Sequence, residues 1–191
     1  MSEPASTVQR ELAELLMQLG RTAYAGAGGR GLTAAQWAAL RYFSRANRFS
    51  RTVSGFAEFH ATTRGTASQT VRSLTRRGFL SRRRSERDGR SVLFELTGSA
   101  RQMLASDPLN DLVAAAAWLD DQRCAGLIRD LVQISDRLVQ ECAGTRPGVC
   151  ARCGHLVGSG GTYRCGLMQE PLDDEELTEL CQRFSPQAAT S

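Results

Sequence analysis

Thr63-Arg64-Gly65-Thr66-Ala67-Ser68-Gln69-Thr70-Val71-Arg72-Ser73-Leu74-Thr75-Arg76-Arg77-Gly78, then Phe79-Leu80-Ser81-Arg82-Arg83-Arg84, a turn, and Ser91-Val92-Leu93-Phe94-Glu95-Leu96-Thr97 is the stretch on which the fold turns. Thr63 carries the hydroxyl that a helix start needs to satisfy its free amides. Behind it Ala67, Val71 and Leu74 fall on one face, and Gly65, Gln69, Arg72, Ser73 and Arg76 on the opposite one. Gly78 supplies the left-handed residue that ends a helix. The helix is therefore expected over Arg64–Arg77. Two strand-like runs follow, Phe79–Arg84 and Ser91–Leu96, and Asp88-Gly89 between them is a hairpin turn pair.

Working outward, Ser6-Thr7-Val8-Gln9 and Thr33-Ala34-Ala35-Gln36 both have the form of a capping box. The first opens a helix striped by Val8, Leu12, Leu15, Leu16 and Leu19, ending before Gly26–Gly31. The second opens a helix with Trp37, Leu40 and Phe43 inward, closing near Asn47. A short helix is expected over Val53–Phe59, with Phe56 and Phe59 turned in, and a turn at His60–Thr62. After the hairpin one helix is expected from Gly98 to about Ala105, resuming through Trp118. Another runs from Asp120 to Cys142, striped by Leu127, Leu131, Ile134 and Leu138. Gly144-Thr145-Arg146-Pro147-Gly148 reads as a linker. No internal repeat is visible.

Charge divides the chain in the same way. The net charge of +4 conceals thirteen arginines between Arg41 and Arg90, opposed there by Glu58, Glu86 and Asp88. Beyond Thr97 the balance reverses, with acids at Asp107, Asp111, Asp120, Asp121, Asp130 and Asp136 and a cluster from Asp173 to Glu179. A basic middle with acidic flanks is the footprint of a polyanion-binding face. The absence of lysine reflects composition bias and carries no functional weight.

Helix, helix, helix, β-hairpin is the order of the winged helix–turn–helix. The middle of the chain resembles the MarR family: Leu32-Thr33-Ala34-Ala35-Gln36-Trp37 matches L-T-x-x-Q-[WF], Arg64-Gly65-Thr66-Ala67-Ser68 is similar to its recognition-helix start, and Asp88 to Thr97 matches its wing, D-x-R-x5-L-T. One departure is Gly98-Ser99-Ala100, where the family has glycine two residues later. The resemblance covers about residues 6–143. It implies that Asp88 orients the wing loop, that Arg90 is the residue inserted into DNA, and that the protein is a dimer.

The residue types support the same interface. Gln69, Arg72 and Arg76 can read base edges, since Arg forks onto guanine and Gln onto adenine. Arg64 and Ser73 border them, Thr66 and Ser68 offer hydroxyls, and Gly65 lets the helix N-terminus approach a phosphate. Arg84, Arg87 and Arg90 are the wing's candidates for the minor groove and its phosphates; an exposed strand edge guarded by charge is the other reading of Arg82–Arg84. The apolar stripes of the first helix and of Asp120–Cys142 exceed what a small winged domain can cover, so pairing about a two-fold axis is expected. That would set two recognition helices about 34–36 Å apart on a near-palindromic operator of double-stranded DNA.

Beyond the linker, Cys150-x2-Cys153-x11-Cys165-x15-Cys181 points to metal rather than disulfide in a cytoplasmic protein. Asp173-Asp174-Glu175-Glu176 reads as a helix start that swings Leu177, Leu180, Cys181 and Phe184 inward. Only the first two cysteines form a paired knuckle, and this irregular spacing favours an iron–sulfur cluster, [4Fe–4S], over the alternative, zinc. His155 reads as a neighbour of the site, and Cys124 and Cys142 as packing residues.

The expectation is a mainly α protein with a small β-hairpin wing: a dimerisation helix (1–31), the winged helix–turn–helix (32–97), further dimerisation helices (98–143) and a four-cysteine module (149–185). The start, Met1-Ser2-Glu3-Pro4, has no secretory pattern, and no apolar run approaches the roughly 20 residues of a membrane span, so the cytoplasm is expected. No Gly-rich nucleotide loop or paired catalytic carboxylates occur, and His60 and His155 are the sole imidazoles; an enzyme is not expected. The expected function is a transcription regulator, a repressor, whose DNA affinity responds to the cluster sensing oxygen, redox poise, nitric oxide or iron. The module, attached to the dimer helices, would alter the spacing of the recognition helices. The alternative is a small-molecule-responsive regulator with a structural zinc.

Overall fold

Hydroxyl-bearing residues set the helix starts. In the computed structural model, which describes residues 6–25, 31–85, 89, 91–141 and 148–187, Ser6 N donates to Gln9 Oε1 at 2.8 Å and Gln9 N to Ser6 Oγ at 3.2 Å. Helix α1 then runs over Thr7–Ala25. Thr33 and Gln36 repeat the reciprocal cap at the head of α2, Ala34–Arg45. Thr52, Thr63 and Thr97 accept from the N–H three residues on, and open α3 (Val53–Phe59), α4 (Arg64–Arg76) and α5 (Gly98–Leu104). Each such cap is worth about 1 kcal/mol. Helix α4 closes where Gly78 takes φ +76°.

Asp107 then interrupts the helical run. Its Oδ1 accepts from Leu109 N at 2.8 Å, so the chain resumes as a separate helix, α6 (Leu109–Ala116), before the long α7 (Asp121–Glu141). The wing strands β1 (Leu80–Arg84) and β2 (Val92–Leu96) pair antiparallel, with Leu80 opposite Leu96, Arg82 opposite Phe94 and Arg84 opposite Val92.

The main core lies among α2, α3, α4 and the wing. Trp37, Leu40, Tyr42, Phe56, Val71, Leu74 and Leu80 are all buried there. Phe59 corrects the expectation of an inward ring: it touches Tyr42, with centroids 5.2 Å apart, but remains 38 % exposed at the rim. In contrast, the stripes of α1 and α7 stay uncovered by the chain itself. Val8, Leu15, Leu19, Ile128 and Leu138 are at least half exposed, which leaves an apolar surface free for another partner.

The segment after residue 147 differs from its sequence reading. No helix starts at Asp173. Asp173 N and Glu176 N do exchange bonds with the opposite carboxylates, at 3.1 and 2.8 Å, but the cap is followed by a single 3-10 turn, Glu176–Thr178, and then by a strand, β7 (Leu180–Cys181). Strand β7 pairs antiparallel with β3 (Gly148–Val149), and Leu180 forms a parallel bridge to Ala46. These non-local partners satisfy the backbone that a helix would have satisfied within itself, and they send Leu180 into the main core. A second sheet, β4 (Leu156–Ser159), β5 (Thr162–Cys165) and β6 (Glu170–Leu172), completes the tail in that order. Its first hairpin turns at Gly160 and Gly161, with φ +64° and +88°, a two-residue turn that glycine makes without strain.

Candidate nucleic-acid interface and cysteine cluster

The recognition helix of a winged helix–turn–helix must offer polar side chains on one face and bury the other. Helix α4 does so: Ala67, Val71 and Leu74 are buried, while Arg64, Gly65, Thr66, Gln69, Arg72 and Arg76 are exposed. Ser68 is half-buried and lines a groove with Arg72, Arg76, Arg82 and Phe94, so the helix and the wing strand present arginines to the same hollow. Thr66 is engaged with the cap, its hydroxyl 3.0 Å from that of Thr63. Ser73 turns toward α2, where its Oγ accepts from Gln36 Nε2 at 3.0 Å.

On the wing, Arg82, Arg83 and Arg84 are all exposed and line a second hollow with Gly89 and Val92. Arg83 also pairs with Glu95 at 3.2 Å. Arg87, Asp88 and Arg90 lie outside the described residues, as does Cys142.

The basic middle of the chain is less uniform in role than its charge suggests. Arg41 pairs with Asp107 at 2.5 Å and donates to the Tyr24 hydroxyl. Arg77 donates to Gly31 O at 2.7 Å. Arg48 and Arg51 pair with Glu176 and Glu179 at 3.3 and 3.1 Å. Part of the acidic cluster that follows Asp173 therefore neutralises arginines of the α2–α3 loop, while the arginines of α4 and β1 face solvent.

The four tail cysteines come together despite the wrong helix. The knuckle forms as a 3-10 turn, Cys150–Arg152, with Cys153 N donating to Cys150 O at 3.0 Å. Cys165 ends β5 and Cys181 ends β7. All four line one cavity of about 10 Å³, together with Asn47 and His155; that is room for one water-sized sphere. Among the described residues no three His, Cys, Asp or Glu side chains stand grouped closely enough to hold a metal ion as they are. The donor set nevertheless suits a thiophilic metal. N–H groups are aimed at sulfur: Asn47 Nδ2 donates to Cys150 Sγ at 3.6 Å and Met168 N to Cys165 Sγ at 3.4 Å.

Cys150 and Cys181 are coupled by a hydrogen bond between their thiols. The hydrogen bond with Cys181, then burial, pushes the Cys150 thiol up. The same bond from the other side lowers Cys181 to about 6, against the opposing effect of burial. A thiolate stabilised by donors inside an apolar cavity is the state in which cysteine binds metal. Cys124 is half-buried on α7, its thiol 3.9 Å from Leu119 O.

Sequence reasoning missed Asn47, Ser50, Arg51 and Gln182. Asn47 is 1 % exposed and lies 103 positions from the sulfur it donates to. No spacing rule connects them.

The fold and the arginine-bearing face define a winged helix–turn–helix protein. Residues 30–91 match the model of the MarR family. Among solved structures it resembles the MepR–DNA complex of S. aureus, at 17 % identity over 66 % of this chain and 93 % of that one, with a TM-score of 0.55. It resembles the transcriptional regulator SlyA at 16 % identity over 71 % and 96 %, TM-score 0.55. A probable transcriptional regulator from Pseudomonas aeruginosa matches at 26 % identity over 64 % and 95 %, TM-score 0.51. No curated protein matches. Among the described residues no helix is long and apolar enough to cross a membrane.

Proposed function

We propose that this protein is a DNA-binding transcription regulator, acting as a repressor, and that its affinity for DNA is set by a metal centre held by Cys150, Cys153, Cys165 and Cys181. The observation that carries the DNA-binding half is the exposed row Arg64, Gln69, Arg72 and Arg76 on a helix whose other face is buried. The S. aureus relative was crystallised with DNA on a similar fold. The protein works as a homodimer: the exposed stripes of α1 and α7 need a cover, and a second copy supplies one about a two-fold axis. Two α4 helices then address successive major grooves of a near-palindromic duplex. Gln69, Arg72 and Arg76 contact bases, Gly65 and Ser68 admit phosphates, and the wing arginines Arg84, Arg87 and Arg90 reach the flanking groove.

The metal half rests on four thiols around one cavity with N–H donors onto their sulfurs. An iron–sulfur cluster, [4Fe–4S], is favoured by the unpaired third and fourth cysteines; when bound it would supply redox sensitivity and lability toward oxygen, nitric oxide and iron supply. A second reading is favoured by the Cys150–Cys153 knuckle: four thiolates also suit a tetrahedral zinc, which would then be structural, with a small molecule as the signal. Anaerobic purification tests both. A brown protein whose operator affinity changes on exposure to air supports the cluster. A colourless one with stoichiometric zinc supports the second reading, and affinity unchanged by air or chelator rejects the sensor.

A further inference from the structure

We propose that the loop between α2 and α3, residues 46–52, is the receiver through which the cysteine-bearing tail controls the DNA-binding helices. The proposal rests on the reading of the cysteines as a metal centre, and replaces a route through the dimer helices with one into the helix–turn–helix itself.

The loop is held by the tail along its whole length. Asn47 N donates to Leu180 O at 2.9 Å, while its side chain donates to Cys150 Sγ. Gln182 N donates to Ser50 Oγ at 3.0 Å, and the Thr52 hydroxyl donates to Gln182 Oε1 at 3.2 Å. Arg48 and Arg51 are anchored on Glu176 and Glu179. A single peptide stretch thus touches the knuckle, β7 and the acidic turn.

The same residues hold the DNA-binding elements. Thr52 is the N-cap of α3, accepting from Gly55 N at 2.9 Å. Arg51 O accepts from Phe94 N of the wing at 2.8 Å, and Arg51 Nε donates to Ala46 O at the end of α2, also at 2.8 Å. There is no slack: a β-carbon on Gly55 would come within 2.3 Å of both Gln182 Oε1 and the Tyr42 hydroxyl. When the cysteine cavity changes shape, Asn47 and β7 move with it. The start of α3 and the strand β2 must follow, because packed interfaces shift between discrete arrangements rather than deform smoothly.

The test uses Glu179→Arg, which breaks the Arg51 pair and leaves every cysteine in place, and the swap Arg51→Glu with Glu179→Arg, which restores opposite charges. The full chain is purified anaerobically, its metal content measured, and its affinity determined for a duplex selected by the protein from a random pool, before and after chelation. The wild type is expected to change affinity about tenfold between the two states, an ordinary allosteric coupling. Glu179→Arg should keep its metal and lose most of that change, and the swap should recover it. Hydrogen exchange in the wild type should show chelation loosening residues 46–59 and 92–96. Full coupling retained in metal-loaded Glu179→Arg, or exchange differences confined to α1 and α7, overturns the proposal. A wild type that holds no metal defeats the metal reading instead. The loop is then judged by affinity alone: a change of about fivefold in Glu179→Arg, the lower end of such couplings, upholds tail control, and equality with wild type overturns it.

Discussion

Leu180 lies in the tail by sequence but in the winged core by packing, so its truncation separates a tail that is merely tethered from one that folds as part of the winged domain. It is 6 % exposed and belongs to the cluster that contains Trp37, Leu40 and Phe56. Leu180→Ala leaves the backbone bond to Asn47 intact and removes only side-chain volume. A buried leucine truncated in this way costs about 2–5 kcal/mol, depending on how far the site collapses. Taking about 3 kcal/mol, and about 2–4 °C per kcal/mol for a chain of this size, the melting midpoint should fall by about 6–12 °C. Trp37, fully buried in the same core, gives the fluorescence readout; Trp118 is 70 % exposed and contributes a small change. Leu172→Ala is the control, since Leu172 is equally buried but packs with Cys150 and Cys181; it should loosen the cysteine cluster and shift the Trp37 midpoint less. If Leu180→Ala left the Trp37 transition within about 2 °C of wild type, less than a single kcal/mol requires, the tail would not be part of the core and the reasoning would fail.

Other expectations follow from the same geometry. Arg72→Ala should weaken duplex binding by about 1–3 kcal/mol if the side chain forks onto a base, and Arg84→Ala should lower the slope of log affinity against log salt by about 0.9 if it meets a phosphate; filter binding across a salt series distinguishes them, and wild-type values for both would remove α4 and the wing as the interface. Leu15→Glu, on the exposed stripe of α1, should shift the protein toward monomer in sedimentation, whereas an unchanged dimer would place the two-fold contact elsewhere. In metal-free protein, thiolate absorbance should appear as pH rises through about 6, because Cys181 ionises early while Cys150 keeps its proton; below that pH both thiols are protonated. A first thiolate midpoint near the ordinary 8.5 would show that the pair is not coupled in this way.

Much of the winged helix–turn–helix was legible in the sequence for a physical reason: its information is local. A threonine before a helix meets an amide three residues on, an apolar repeat meets the same face within a turn, and a glycine relieves the backbone where it stands. Thr33 and Thr63 both cap as their neighbours require, and the hairpin pairs in the register that its two runs allow. The same local logic misread Asp173–Glu176. The cap was real, but the residues after it found better partners in Gly148, Ala46 and the main core.

By itself, then, the order of residues determined the winged helix–turn–helix, the apolar stripes of its flanking helices and the spacing of four cysteines. Only tertiary structure decided which arginines face outward and which are tied to Asp107, Glu176 and Glu179. It also decided that the tail lies against the α2–α3 loop, where Asn47 reaches the sulfur of Cys150. Charge and periodicity describe a residue's preference for water or for a face. Which partner it meets across more than a hundred positions depends on how the packed elements close around one another, and no local pattern carries that.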